Sequence, residues 1–120
     1  MTVVSYGRTL PLCVKAASDV DAEVIDLRTL WPYDWEAIKA SVRKTGRVLF
    51  VNEDTEVTNF GEHLLRRVVE EHFYDLLVKP RLLAGKHVPG IGLNQVYEQN
   101  TVPQLPGIKE ALRAVVTEPA

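Results

Sequence analysis

The sequence predicts an α/β fold: a mainly parallel sheet with helices on both faces, three layers in all. Three observations predict it. Short β-branched runs alternate with stretches of helical period along the whole chain. One of those runs, Arg47–Val51, is apolar at nearly every position, the pattern of a strand buried on both faces, as in parallel sheets. Proline, glycine and capping residues fall at the junctions between runs. Parallel strands joined through helices imply right-handed crossovers.

Residues 2–6 form the first predicted strand, ended by Gly7. Thr9 is placed as the cap of a helix with Pro11 in its first turn, and Leu10, Cys13, Val14 and Ala17 fall on one helical face. Residues 22–27 are the second strand. Asp34, after Pro32, caps the next helix, with Trp35, Ile38 and Val42 inward and Gly46 as its C-cap. Residues 47–51 are the third strand and 52–58 a loop. Asn59 and Glu62 have capping-box spacing at the start of the longest helix, whose apolar stripe is Phe60, Leu64, Leu65, Val68, Val69, Phe73 and Leu76. Residues 81–84 are the fourth strand, entered from Pro80. Residues 85–105 read as irregular, and 106–116 as a closing helix with Pro106 near its first position.

The chain has 120 residues, enough for one domain, 1–120, and too few for two. A net charge of −2 with scattered Lys and Arg argues against a nucleic-acid partner. No apolar run reaches the roughly 18 residues of a membrane span, and the first ten residues lack the charged and apolar regions of a signal peptide. Cys13 stands alone, so no internal disulfide forms, and its apolar helical setting reads as a small buried residue. A lone reduced thiol fits a reducing compartment.

Sites in open α/β sheets form beyond the carboxyl ends of the strands. That edge collects Arg8, Arg28, Glu53, Asp54 and Lys86. Two readings stand: an anion or substrate site, or an ion-pair cluster that neutralises crowded loop charges. No G-x-G-x-x-G or Walker lysine follows the first strand. His63, His72 and His87 lack metal-ligand spacing, and Ser5, Ser18 and Ser41 lack a nucleophile elbow. Trp31 and Trp35, flanking Pro32 and Tyr33, either plug the sheet end or dock on another chain.

Three stretches carry a family resemblance. The pattern Asp26-Leu-Arg-Thr-Leu-x-Pro-x-Asp34, then Lys44-Thr-Gly-Arg47 into a strand, then Glu53-Asp54, resembles the carboxyl-terminal, transketolase-like domain of thiamine-diphosphate-dependent 2-oxoacid dehydrogenases. The likeness is to the beta subunit of the pyruvate, branched-chain and acetoin enzymes, or to the beta half of a fused chain. Residues 59–73 resemble that family's helix after the loop, and 87–112 its closing loop and helix. Two features depart from the pattern: the loop before the long helix is poorer in glycine, and the family's usual first strand, antiparallel at the edge beside strand 2, is either absent or cut off ahead of Met1.

The resemblance implies a four-stranded parallel sheet in the order 2-1-3-4. It implies that the chain is one domain of a longer beta subunit, inactive alone, with thiamine diphosphate and magnesium held by other domains. No cofactor ligand carries over to any residue here. The implied partners are the rest of the beta subunit, the alpha subunit or a fused alpha half, and the acyltransferase core. Arg28 and the tryptophan turn are then interface scaffold, with Asp26, Asp34, Glu53 and Asp54 as acceptors for Arg28. The implied location is bacterial cytoplasm or mitochondrial matrix. The separated domain is expected to self-associate through the long loop, the tryptophan turn or the edge of strand 2. Two alternatives remain: the matching domain of transketolase or deoxyxylulose-phosphate synthase, and a free-standing α/β ligand-binding or regulatory module.

Overall fold

The computed structural model describes residues 1–120. Four strands, β1 (Thr2–Ser5), β2 (Glu23–Asp26), β3 (Val48–Thr55) and β4 (Arg81–Gly85), make one parallel sheet in the order β2-β1-β3-β4. Five helices surround it: α1 (Thr9–Ala16), α2 (Trp35–Thr45), α3 (Phe60–His72), α4 (Gln95–Thr101) and α5 (Leu105–Thr117). The strand order matches the one the resemblance implies.

Alternation along the two central strands divides the core. Val3, Leu49 and Val51 point to one face, where Cys13 and Ala16 of α1 and Ile108, Leu112 and Val115 of α5 cover them. Val4, Val48 and Phe50 point to the other, under Trp35, Ile38 and Val42 of α2 and Leu64 and Val68 of α3. Successive strand side chains point to opposite faces, so a strand buried on both must be apolar at every position, as Val48–Val51 is.

The caps follow local chemistry. Asp34 Oδ1 accepts from the Ala37 amide at 3.1 Å, and Gly46 ends α2 at φ 64°. At α3, Asn59 Oδ1 accepts from the Glu62 amide at 3.1 Å, but the returning Glu62 carboxylate takes the Thr58 amide at 3.0 Å, one residue earlier than a capping box requires. A second acceptor comes from the sheet: Asn52 Oδ1 takes the Gly61 amide at 3.1 Å.

Several expectations are corrected. Thr9 lies inside α1 and is buried, its hydroxyl 2.8 Å from that of Ser5, so it is a packing residue and not the cap. The buried face of α1 is Thr9, Cys13 and Ala16, and Val14 is exposed, because the helix is set by its packing on α5 and the sheet. β3 runs on to Thr55, since its pairing with β4 resumes at Thr55–Gly85 after an irregularity, so the first four residues of the supposed 52–58 loop are strand. Phe73 is exposed, because α3 gives way to a 3-10 turn at that residue. Residues 95–101 form α4 inside the segment read as irregular, capped by Asn94 Oδ1 on the Val96 amide at 2.9 Å.

Candidate functional site at the carboxyl edge of the sheet

The chain reverses direction across the sheet between β1 and β3, since β2 lies to one side of β1 and β3 and β4 to the other. An open cleft of about 640 Å³ sits beyond the carboxyl ends of β1, β3 and β4. This is the switch point where open α/β sheets leave room for a ligand. Tyr6-Gly7-Arg8 forms one wall, Glu53-Asp54-Thr55 the floor, and Gly85-Lys86 with the following loop the opposite wall. Gly85 is required there: a Cβ would stand 2.5 Å from the Glu53 carbonyl oxygen.

The cleft is electrically mixed. Arg8 spans two carboxylates, Glu53 at 3.8 Å and Glu98 of α4 at 3.5 Å. Asp54 Oδ1 accepts from the Thr55 amide at 2.8 Å. Partial burial, reinforced by the negative charge of Asp54, holds the Tyr6 phenol above its ordinary range. The Lys86 amide donates to the Thr101 carbonyl at 2.8 Å, which ties α4 to the cleft.

Arg8, Glu53, Asp54 and Lys86 thus meet where the sequence places them, but Arg28 does not join them. Its side chain is 85% exposed and pairs with Asp26 alone, at 3.4 Å. Asp26 also accepts from the Arg28 amide at 3.0 Å, an Asx turn that supports the left-handed backbone of Arg28 at φ 60°. Asp34 is occupied by its helix cap, and Glu53 by Arg8.

The two tryptophans part company. Trp35 is buried against α3, with the Arg67 guanidinium 4.1 Å from its ring centroid. Trp31 is 80% exposed and touches Tyr33 edge-on. Tyr33 is the hub that sequence reasoning missed. Its oxygen accepts from Arg67 at 2.9 Å and lies 2.7 Å from His63 Nε2. His63 Nδ1 lies 3.4 Å from the Arg66 guanidinium, which can only donate, so Nδ1 accepts and the Nε2 proton is given to the phenol oxygen, which accepts from both His63 and Arg67. Only the i, i+4 spacing of His63 and Arg67 on α3 hinted at this pair; the partner is 30 residues away from His63 in sequence. Glu98 was also missed, because α4 was read as loop.

No group of three His, Cys, Asp or Glu side chains stands together in the chain, and Glu53 of the cleft is paired with Arg8.

A doubly wound parallel sheet with its cleft at the switch point defines an α/β domain of the mononucleotide-binding type of architecture, without that type's glycine-rich turn. The family model described as "Transketolase, C-terminal domain" matches residues 1–108, and the chain belongs to that family. The 2-oxoisovalerate dehydrogenase subunit beta of Pseudomonas aeruginosa is 42% identical over 92 residues, covering 74% of this chain and 26% of that protein. The pyruvate dehydrogenase E1 component subunit beta of Rhizobium meliloti is 35% identical over 120 residues, 95% of this chain and 26% of that protein. The human mitochondrial counterpart is 32% identical over 119 residues, 94% and 33%. The chain therefore spans about a quarter to a third of the length of these curated relatives. Among solved structures, a chain titled "Split gene transketolase, inactive beta4 tetramer" superposes with a TM-score of 0.81 over 99% of this chain and 40% of its own, at 22% identity, which shows the fold alone.

Proposed function

We propose that these 120 residues are the assembly domain of the beta subunit of a thiamine-diphosphate-dependent 2-oxoacid dehydrogenase, the component that decarboxylates the 2-oxo acid. The observation that carries the reading is the match to curated beta subunits over nearly the whole chain, at about a quarter of their length. Other domains hold thiamine diphosphate and magnesium, supply the nucleophile and pass the acyl group to a lipoyl arm. This domain places them. Its partners are the rest of the beta subunit and the alpha subunit, and, detached from them, another copy of itself. The neighbour in fold is titled a tetramer of beta chains, which supports association of such chains with one another. No helix is long and apolar enough to cross a membrane, and several relatives are named mitochondrial. The reading places the protein in bacterial cytoplasm or mitochondrial matrix.

The test is reconstitution. The chain is incubated with thiamine diphosphate, magnesium and a set of 2-oxo acids, first alone and then joined to the amino-terminal part of a beta subunit with its alpha subunit. Release of carbon dioxide is expected only in the joined form. Turnover by the chain alone overturns the proposal, as does a joined form that stays inactive while properly assembled. The transketolase reading has the fold and the family's own description in its favour, and a ketol-transfer assay on the same joined form separates the two.

A further inference from the structure

Residues 86–101 form a strap that is fastened to the rest of the domain mainly at its ends. The Lys86 amide donates to the Thr101 carbonyl at 2.8 Å, which closes the neck. Beside the neck, the His87 amide donates to Glu56 Oε1, and His87 Nδ1 lies against the Thr55 hydroxyl, each at 3.3 Å. Past the other end, Val102 and Pro103 are buried. Between these anchors the hydrogen bonds of residues 88–100 all stay within residues 86–102. Only Gly92 and Glu98 in that stretch are even half-buried, and every other residue is exposed. Gly92 is covered by the strap itself: a Cβ there would stand 2.6 Å from Tyr97 Cβ. Glu98 is the exception that points inward. Its carboxylate meets Arg8, at the head of α1, at 3.5 Å, and this is the one ion pair between the strap and the rest of the chain.

We infer that residues 86–101 are an order–disorder lid on the cleft, latched by Glu98 through Arg8. Val88, Gly90 and Ile91 of the strap make one wall of that cleft, so the wall exists only while the strap is ordered. Two properties make the strap able to leave. Its helix, α4, has seven residues and buries none of its side chains. A helix that short is not stable in water by itself, so release from Arg8 also unwinds it. A segment with no buried apolar side chains opens at a small fraction of the cost of unfolding the whole domain. A third property makes the latch a switch. Arg8 is shared between Glu98 on the strap and Glu53 on β3, at 3.5 and 3.8 Å, both long for charge-assisted hydrogen bonds. When the strap opens, Arg8 turns fully to Glu53, so the open form leaves no cation unpaired. Two carboxylates thus compete for one guanidinium, one favouring the closed cleft and the other the open one. The device depends only on contacts within the chain, whichever enzyme the domain serves.

Residue-resolved amide hydrogen exchange of the whole chain tests this, with circular dichroism to confirm that each variant is folded. The reporters are the Lys86 and Val102 amides, which donate to Thr101 and Glu98 within the strap. Both are expected to exchange at least about tenfold faster than the amides of β1 and β3, and at rates that low concentrations of urea leave unchanged. Glu98→Gln removes the latch and should speed both reporters about two- to fivefold, the range of an exposed ion pair. Glu53→Gln removes the competitor and should slow them, since Arg8 then serves Glu98 alone. A loosening of the cleft in general would speed exchange in both variants. Strap amides that exchange only with the core strands overturn the lid. Fast strap amides that do not respond to Glu98→Gln overturn the latch. Faster exchange in Glu53→Gln overturns the competition for Arg8.

Discussion

Asn52 to alanine is the perturbation whose cost follows most directly from the geometry. Asn52 is 1% exposed at the middle of β3, and its Oδ1 is the partner of the Gly61 amide at 3.1 Å. Gly61 is the second residue of α3, so its N–H is one of those the helix itself leaves unpaired. Gly61 is also buried and closely packed: a Cβ on it would meet Leu82 Cδ1 at 2.5 Å and Asn52 Oδ1 at 2.8 Å. A buried donor left without an acceptor costs about 1–3 kcal/mol. Taking about 2 kcal/mol, and an unfolding entropy near 2.1 cal/mol/K per residue, the melting temperature of the chain falls by about 8 °C. Differential scanning calorimetry of Asn52→Ala and Asn52→Leu decides the matter. Leucine keeps the volume and lacks the acceptor, so both variants should lose a similar amount, and the Gly61 amide should exchange its hydrogen faster in each. If leucine restores the melting temperature, the loss came from a cavity and the account in terms of an orphaned amide is refuted. A shift under about 3 °C in both variants refutes it equally, since the orphaned donor would then cost less than the lower bound.

Gly46→Ala should destabilise the chain by about 1–2 kcal/mol from its left-handed backbone alone, and by more because the new Cβ would lie 2.7 Å from Leu77 Cγ; urea denaturation reads the sum. Glu23 is held below the ordinary carboxyl range by its hydrogen bonds from Lys44 and then Ser41, with Lys44 correspondingly raised. A depressed carboxyl value gives stability that is present above the usual value of 4.5 and is lost as pH falls below it, so the Glu23→Gln variant should show a flatter melting-temperature profile between neutral pH and the acid range. Burial pushes the Cys13 thiol up to about 11 against an opposing hydrogen bond from Ser5, so the native chain should resist alkylation at neutral pH and react only as fast as it unfolds. Leu112→Ala, at a fully buried position between α5 and the sheet, should cost about 2–5 kcal/mol by chemical denaturation.

Locally encoded features could be read from the residues alone. Asp34, Gly46 and Asn59 act on groups within four residues of themselves, so their chemistry shows in a short window. The unbroken apolar run Val48–Val51 announced a strand covered on both faces, because burial on two sides permits no alternation. The strand order came from family resemblance and not from any pattern in the residues. The candidate site was legible only as a list of edge residues. Sequence order puts Arg8, Arg28, Glu53 and Lys86 after successive strands, but it carries no information about which side chains reach one another.

Tertiary structure made those choices. Arg8 bridges Glu53 and Glu98 because α4 folds back over the β1 end, while Arg28 is turned outward by its Asx turn onto Asp26. Trp35 is buried and Trp31 exposed, although they sit four residues apart, because α3 supplies Arg67 and His72 against one ring and nothing against the other. α4 escaped detection since its helix forms without a buried side, and amphipathic period is the signal by which helices are read. The sequence by itself determined what the backbone does over a few residues, where steric and capping preferences act between neighbours. Which side chains meet was decided by the packing of segments tens of residues apart, since those contacts depend on distances that no local pattern records.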